Sequence, residues 1–227
     1  VGVKEIPNKL KDVYKTYLNR LSYISVRERQ SAEALRTFIE KDIAVVVDPT
    51  FLLSADEWEF LLKDAEINEK EFAEPYILCY FVGTRKSYWK YVEKVHKSTG
   101  YRVVVIPINN EAYVNRFDKY VKVSPAEFLW LIKHATIVCT DSFHATVFSI
   151  QYDKEFYTLK RFLDESSDSQ NGRLQNLLSA YQLDSRLICN EKKFVRNREI
   201  DYDRVKKVLQ EERIRSIKWL QTALKSE

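Results

Sequence analysis

The stretch "ATIVCTDSFHATVFSI" (135–150) holds two structural periods in succession. Its first half, "TIVCT" (136–140), is a continuous run, β-branched except at Cys139 and without alternation, which suits a strand buried on both faces of a parallel sheet. Thr140, Asp141 and Ser142 follow, residue types that start helices, and a second apolar segment continues from them. The stretch therefore reads as one strand–helix unit with His144 in the first helical turn. That turn is electropositive, so an imidazolium is poorly placed there unless an anion comes to meet it. The carboxyl end of such a strand is also where open α/β sheets bind ligands. The N–H groups of Ser142, Phe143 and His144 would face the same anion. The alternative is that His144 caps or packs at a helix start.

The same alternation runs along the chain. Strand-like runs are "IAVVV" (43–47), "YILCYFV" (76–82), "VVVIP" (103–107) and the weaker "EFYTL" (155–159). Amphipathic segments 8–21, 31–41, 54–65, 87–100 and 125–135 read as helices, several opened by Ser or Asn caps and one closed by Gly100. Strand–helix alternation predicts an α/β fold, a Rossmann-like parallel sheet with flanking helices. The acidic segment 64–76, ending in Pro75, marks a boundary between two units. Residues 1–70 read as the remnant of one Rossmann-like domain with its connector. Residues 71–227 read as a second such domain, closed by one long helix over 198–225. Val205, Leu209, Ile217, Leu220 and Leu224 form the apolar stripe of that helix, and 166–172 reads as a loop.

Bulk composition narrows the function classes. The 227 residues are 45% apolar and 13% aromatic, which excludes a disordered chain. A net charge of +4 from interleaved signs is a mixed surface, not a nucleic-acid stripe. Cys79, Cys139 and Cys189 are widely spaced and odd in number; the first two lie in apolar runs and read as reduced thiols of a cytoplasmic protein. No run approaches the ~20 apolar residues of a membrane span, and no signal peptide opens the chain. With Val1 first and no methionine anywhere, the sequence reads as a piece of a longer one. No His/Cys/Asp cluster has metal-ligand spacing, and four glycines cannot build a Gly-rich phosphate cradle. No cofactor is indicated.

Further candidate residues lie in "YISVRERQS" (23–31), again a short strand followed by charge and then a helix. Arg27 can grip a carboxylate or phosphate in a two-pronged way; a surface pairing with Glu28 or Glu33 is the other reading, favoured for Arg29. Asp48, in "VDPTFLLS" (47–54), reads as a turn cap in preference to a site carboxylate. His96 and His134 fall in last helical turns and read as structural.

Taken together, "YISVRERQSAEAL", "VVVDPTFLLSADEW", "SPAEFLWLIKHATIVCTDSFHATVFSI" and "GRLQNLLSAYQL" resemble the polysaccharide pyruvyl transferase family, in the branch with "SFH" at the histidine. The resemblance implies a fold similar to two-domain GT-B glycosyltransferases, with most of the N-terminal domain missing here. It implies transfer of the enolpyruvyl group of phosphoenolpyruvate onto two hydroxyls of a cell-envelope or exopolysaccharide sugar, giving a cyclic ketal and phosphate. The acceptor would be a sugar or a lipid-linked saccharide, with no nucleic acid involved and peripheral membrane association left open. The family's motif histidine falls on His144, as general acid toward the methylene carbon. Its "SVRE" arginine falls on Arg27, which would hold carboxylate or phosphate. Asp141, Ser142 and Phe143 would line the donor site. Better-known members have arginine two residues before the histidine, where this chain has Ser142, and often glycine after it, where this chain has Ala145. Either grip on the donor comes from elsewhere, with Arg173 or Lys154 as candidates, or this branch handles a different donor. The family's Gly-rich loop belongs to the missing half, so this piece alone is expected to be inactive. Two other readings stay open: a GT-B glycosyltransferase half that binds a nucleotide sugar, and a non-catalytic binding module on the same scaffold.

Overall fold

The computed structural model describes residues 6–113, 117–162, 171–189, 194–196 and 199–225. Its centre is a six-stranded parallel sheet of order β5-β4-β3-β6-β7-β8. The strands are β3 (Tyr76–Tyr80), β4 (Arg102–Ile106), β5 (Lys119–Tyr120), β6 (Ile137–Thr140), β7 (Glu155–Leu159) and β8 (Leu187–Ile188). A separate two-stranded parallel sheet pairs β1 (Ile24–Val26) with β2 (Ile43–Val45). The helices are α1 (Asn8–Leu18), α2 (Arg29–Arg36), α3 (Ala55–Leu62), α4 (Lys86–Thr99), α5 (Pro125–His134), α6 (Phe143–Gln151), α7 (Asn171–Ala180) and α8 (Tyr202–Lys225). This is the parallel α/β architecture that the sequence predicts.

Apolar runs without alternation make sense because both sheet faces are covered. Tyr76, Leu78, Val138 and Phe156 point into one core with α3, α5, α6 and α8. Their neighbours Ile77, Cys79, Ile137, Cys139 and Tyr157 point into the other, against α4. Cys79 and Cys139 are opposite each other in register, buried and free, and burial pushes both thiols up. Cys189 is exposed.

Local chemistry sets several helix ends. Ser54 and Ser124 each close a capping box, with Glu57 and Glu127 respectively. Gly100 ends α4 at φ 70°, a left-handed conformation that favours glycine. The other expected polar caps do not act as such. Asn8, Ser31 and Ser87 lie inside their helices, whose N-caps are Pro7, Glu28 and Arg85. Helix α2 thus starts two residues before the expected position, because Glu28 already has the extended backbone of a cap. The edge strands β5 and β8 are missing from the sequence reading; two residues each leave no run to detect. Most of the expected loop over 166–172 lies outside the described residues, while Asn171 and Gly172 open α7.

The connector after β2 packs with the larger sheet. Phe51 and Phe72 are buried in its core, with Trp58 and Leu61 against them. The small sheet has its own cluster of Ile24, Ala32, Leu35, Ile39 and Ile43. Helix α8 straps the two together. Its Val205 and Leu209 enter the main core, and Ser216 Oγ accepts the N–H of Val47 at 3.0 Å. Beyond that point the apolar stripe runs out into solvent, with Leu220 and Leu224 exposed. Arg213 donates through Nε to the Phe51 carbonyl at 2.6 Å.

Phe156 is fully buried on β7, between β6 and β8, so Phe156→Ala leaves a cavity that the packed core cannot collapse to fill. It is expected to cost about 3–5 kcal/mol in urea unfolding.

Candidate active site at the carboxyl ends of the sheet

The strand order reverses between β3 and β6, the position at which open α/β sheets form a crevice beyond their carboxyl ends. In this protein a carboxylate spans that crevice. Asp141, directly after β6, is 1% exposed and accepts the N–H groups of Val82 and Gly83, after β3, at 2.7 and 2.8 Å. Tyr88 Oη donates to it at 3.2 Å, and Arg161 donates Nε to its carboxylate and Nη2 to its carbonyl. The amides of Val82 and Gly83 are therefore taken by Asp141 itself and are closed to a ligand anion. Its place is that of a positioning residue, tying the β3–α4 loop to the start of α6.

Ser142 is the N-cap of α6. Its Oγ accepts the N–H of Ala145, and its own N–H donates to Thr140 Oγ1 at 3.0 Å. Of the three amides expected to face a ligand, that of Ser142 is thus engaged within the protein. Phe143 and His144 remain as first-turn amides ahead of the intrahelical ladder. The His144 side chain is exposed.

Phe143 is the hub that brings the distant residues together. Arg27, beyond β1, lies over its ring with Cζ 5.2 Å from the centroid. Arg173, in the first turn of α7, lies over it at 4.9 Å. His144 meets the same ring edge-on at 5.5 Å. Two guanidiniums and one imidazole thus surround one aromatic platform, the guanidiniums held by cation–π attraction. Desolvation first, and then the charge of Arg27, lower the pKa of Arg173, while Glu28 and Asp48 act in the opposite direction. Arg27 is ion-paired to Asp48. Asp48 also caps the turn Pro49–Phe51 by accepting from the N–H and hydroxyl of Thr50. It therefore caps the turn and also lines the neighbouring cavity, so the cap that the sequence reading preferred does not keep it away from the candidate site. Burial acts to raise its pKa, but the Thr50 hydrogen bonds and Arg27 outweigh it and hold the carboxyl below its ordinary value.

Beside this platform lies a cavity of about 390 Å³. Arg27, Glu28, Asp48, Phe143 and Arg173 form its charged end, while Val45, Val47, Phe51, Leu177 and Tyr181 supply apolar wall. His144 stands outside this lining, at the rim defined by Phe143. Lys154, the alternative grip, lies at the opposite end of the sheet: it precedes β7 and donates to the carbonyl of Ala135, ahead of β6. Arg161 is the residue that the sequence reading missed. It carries the same signal as Arg27, a charge just past the carboxyl end of a strand, and it contributes to the charge around Arg173. His96 and His134 are structural. Their Nδ1 atoms contact the carbonyls of Tyr101 and Trp130, and His134 stacks on Trp130. Among the described residues no group of His, Cys, Asp and Glu could hold a metal ion, and no helix is long and apolar enough to cross a membrane.

A parallel sheet with a capped helix start at its crossover and a charged cavity alongside defines a Rossmann-like α/β protein. The chain belongs to the polysaccharide pyruvyl transferase family, whose sequence model matches residues 1–161. Solved structures with the same fold are GT-B-like sugar-nucleotide enzymes. One is the UDP-GlcNAc 2-epimerase of Methanocaldococcus jannaschii, solved with UDP-GlcNAc and UDP (TM-score 0.54, 15% identity, 84% of this chain and 54% of that one). Another is a candidate UDP-N-acetylglucosamine 2-epimerase of Listeria monocytogenes (TM-score 0.51, 15% identity, 86% and 52%). The chain spans about half the length of these structures, and at such identities the likeness is one of fold. No curated protein matches the sequence.

Two predictions test the geometry. A Cβ on Gly83 would lie 2.7 Å from Asp141 Oδ2 and 3.0 Å from Tyr88 Oη, so Gly83→Ala is expected to displace the carboxylate and destabilise the protein by about 1–3 kcal/mol in urea. Asp48 has a lowered folded-state pKa, so its contribution is present above the ordinary carboxylate pKa of ~4 and is lost as pH falls through the folded value. The stability gap between wild type and Asp48→Asn should therefore be widest near neutrality and close on acidification.

Proposed function

We propose that this protein belongs to an enzyme that transfers the enolpyruvyl group of phosphoenolpyruvate onto two hydroxyls of a cell-envelope or exopolysaccharide sugar. The observation that carries the reading is the convergence of Arg27, Arg173 and His144 on the Phe143 ring. Phosphoenolpyruvate presents a carboxylate and a phosphate, and two guanidiniums that share one ring and one carboxylate oxygen, Glu28 Oε1, match such a ligand. Its arrival relieves the repulsion between them, which Asp48 and Glu28 offset in the free protein. His144, exposed at the rim of the platform, donates a proton to the methylene carbon. The sugar oxygens then add at C2 and phosphate leaves. The first-turn amides of Phe143 and His144 face the departing charge. Arg173 takes the part of the arginine that this chain lacks at position 142, with Asp141, Ser142 and Arg161 holding the geometry.

Residues 1–70 are, on this reading, the end of an N-terminal Rossmann-like domain with its connector, and residues 71–227 the C-terminal one. The reaction then takes place in the cytoplasm on a soluble or lipid-linked acceptor, in the intact protein. A nucleotide-sugar enzyme is the second reading, favoured by the fold shared with enzymes solved with UDP-GlcNAc.

In the full-length protein, phosphate release from phosphoenolpyruvate with a sugar acceptor is expected to fall about 10²–10⁴-fold in His144→Ala. Unchanged release would remove His144 from the chemistry. Calorimetry should show phosphoenolpyruvate binding that is lost in Arg27→Ala. Binding of UDP-GlcNAc in its place would favour the second reading.

A further inference from the structure

Glu28 is a buried acid whose position donor binding does not explain. It is 6% exposed and lines the charged end of the cavity. Oε2 accepts from Ser31 Oγ at 3.3 Å. Oε1 is buried and accepts no hydrogen bond. Its nearest cations are Arg173 Nε at 3.5 Å and Arg27 Nη2 at 3.8 Å. At those separations charge is balanced, but no hydrogen bond is made. A buried carboxylate oxygen without a donor is costly, and such atoms are rare in folded proteins. The anionic donor cannot remedy this, because its oxygens would be repelled. A neutral hydroxyl can: it donates to Oε1 while its own oxygen accepts from a neighbouring guanidinium.

We propose that Glu28 Oε1 accepts a hydrogen bond from a hydroxyl of the saccharide acceptor, and that the cavity beside the arginine pair is the acceptor's binding site. The inference rests on the pyruvyl-transfer reading for the identity of the donor next to it. Cavity size agrees, since a three-carbon phosphate fills only part of about 390 Å³. The walls agree as well. Val47, Phe51, Leu177 and Tyr181 offer an apolar surface for the C–H face of a pyranose, opposite a carboxylate for its polar edge. Arg29, Asn176, Ser179, Glu212 and Arg215 complete the lining and offer further hydrogen-bonding groups for the other hydroxyls of a sugar.

The test uses the full-length protein and methyl hexopyranosides of glucose, galactose and mannose as probes, with phosphoenolpyruvate measured separately. Wild type should bind at least one glycoside. The deoxy analogue that lacks the contacting hydroxyl should bind about tenfold more weakly, the size expected for a hydrogen bond to a charged group. In Glu28→Gln, whose neutral amide oxygen is a weaker acceptor, this penalty should shrink to about a few-fold, while phosphoenolpyruvate binds as well as before or better, because a negative charge beside the arginines has gone. Glu28→Asp serves in the same cycle if the Gln variant does not fold. A deoxy penalty that stays undiminished in the variant, or wild type that binds no glycoside, overturns the inference. Glycoside binding that depends on Glu28 without any binding of phosphoenolpyruvate would leave this inference standing and overturn the donor reading.

Discussion

A carboxylate at the point where the strand order reverses determines where everything else in the site can be. Asp141 holds the amides of Val82 and Gly83 on one side of the crevice and is itself the entry to α6 on the other. With those hydrogen bonds made, the first turn of α6 has one position, and Phe143 points to the place where Arg27 and Arg173 meet. The interaction is buried and multiply hydrogen-bonded, the arrangement in which a charged group away from water is tolerated. It also explains why the closest amides to the crossover do not form an anion site. The anion there is part of the protein, and the cavity lined by Arg27 and Arg173 lies beside Phe143 instead.

The second constraint is charge balance. Arg27 and Arg173 are drawn together over one ring against their mutual repulsion, and two carboxylates with little exposure, Glu28 and Asp48, compensate. A polyanionic ligand can replace part of that compensation from outside. The residues come from both sheets and from α7, so the site exists only while α8 straps the small sheet to the large one through Val47 and Phe51.

Much of the fold is legible in the sequence, because buried parallel strands read as short apolar runs, and their length, β-branched content and flanking turn residues separate them from buried helix segments. The weaker run 155–159 is β7, and of the three helix-starting residues Thr140, Asp141 and Ser142 it is Ser142 that caps α6, with His144 in its first turn. The exceptions have physical causes. Two-residue edge strands carry no period, and Ser31 resembles a cap although the backbone already turns helical after Glu28. The site is less legible. Arg27, His144 and Arg173 can each be singled out by type and place, but that one phenylalanine gathers them depends on packing between elements far apart in the chain. Arg161 repeats the Arg27 signal, a charge just past the carboxyl end of a strand, but only the fold shows that it reaches Asp141. The inward turn of Asp141 and the open valence of Glu28 depend on side-chain direction, which spacing does not encode.

A crystal structure of the full-length protein soaked with phosphoenolpyruvate measures the central claim most directly. The account predicts the ligand above the Phe143 ring, its carboxylate and phosphate divided between Arg27 and Arg173 and its methylene carbon toward His144. Phosphoenolpyruvate bound away from this ring, with both arginines still facing only Asp48 and Glu28, would contradict it.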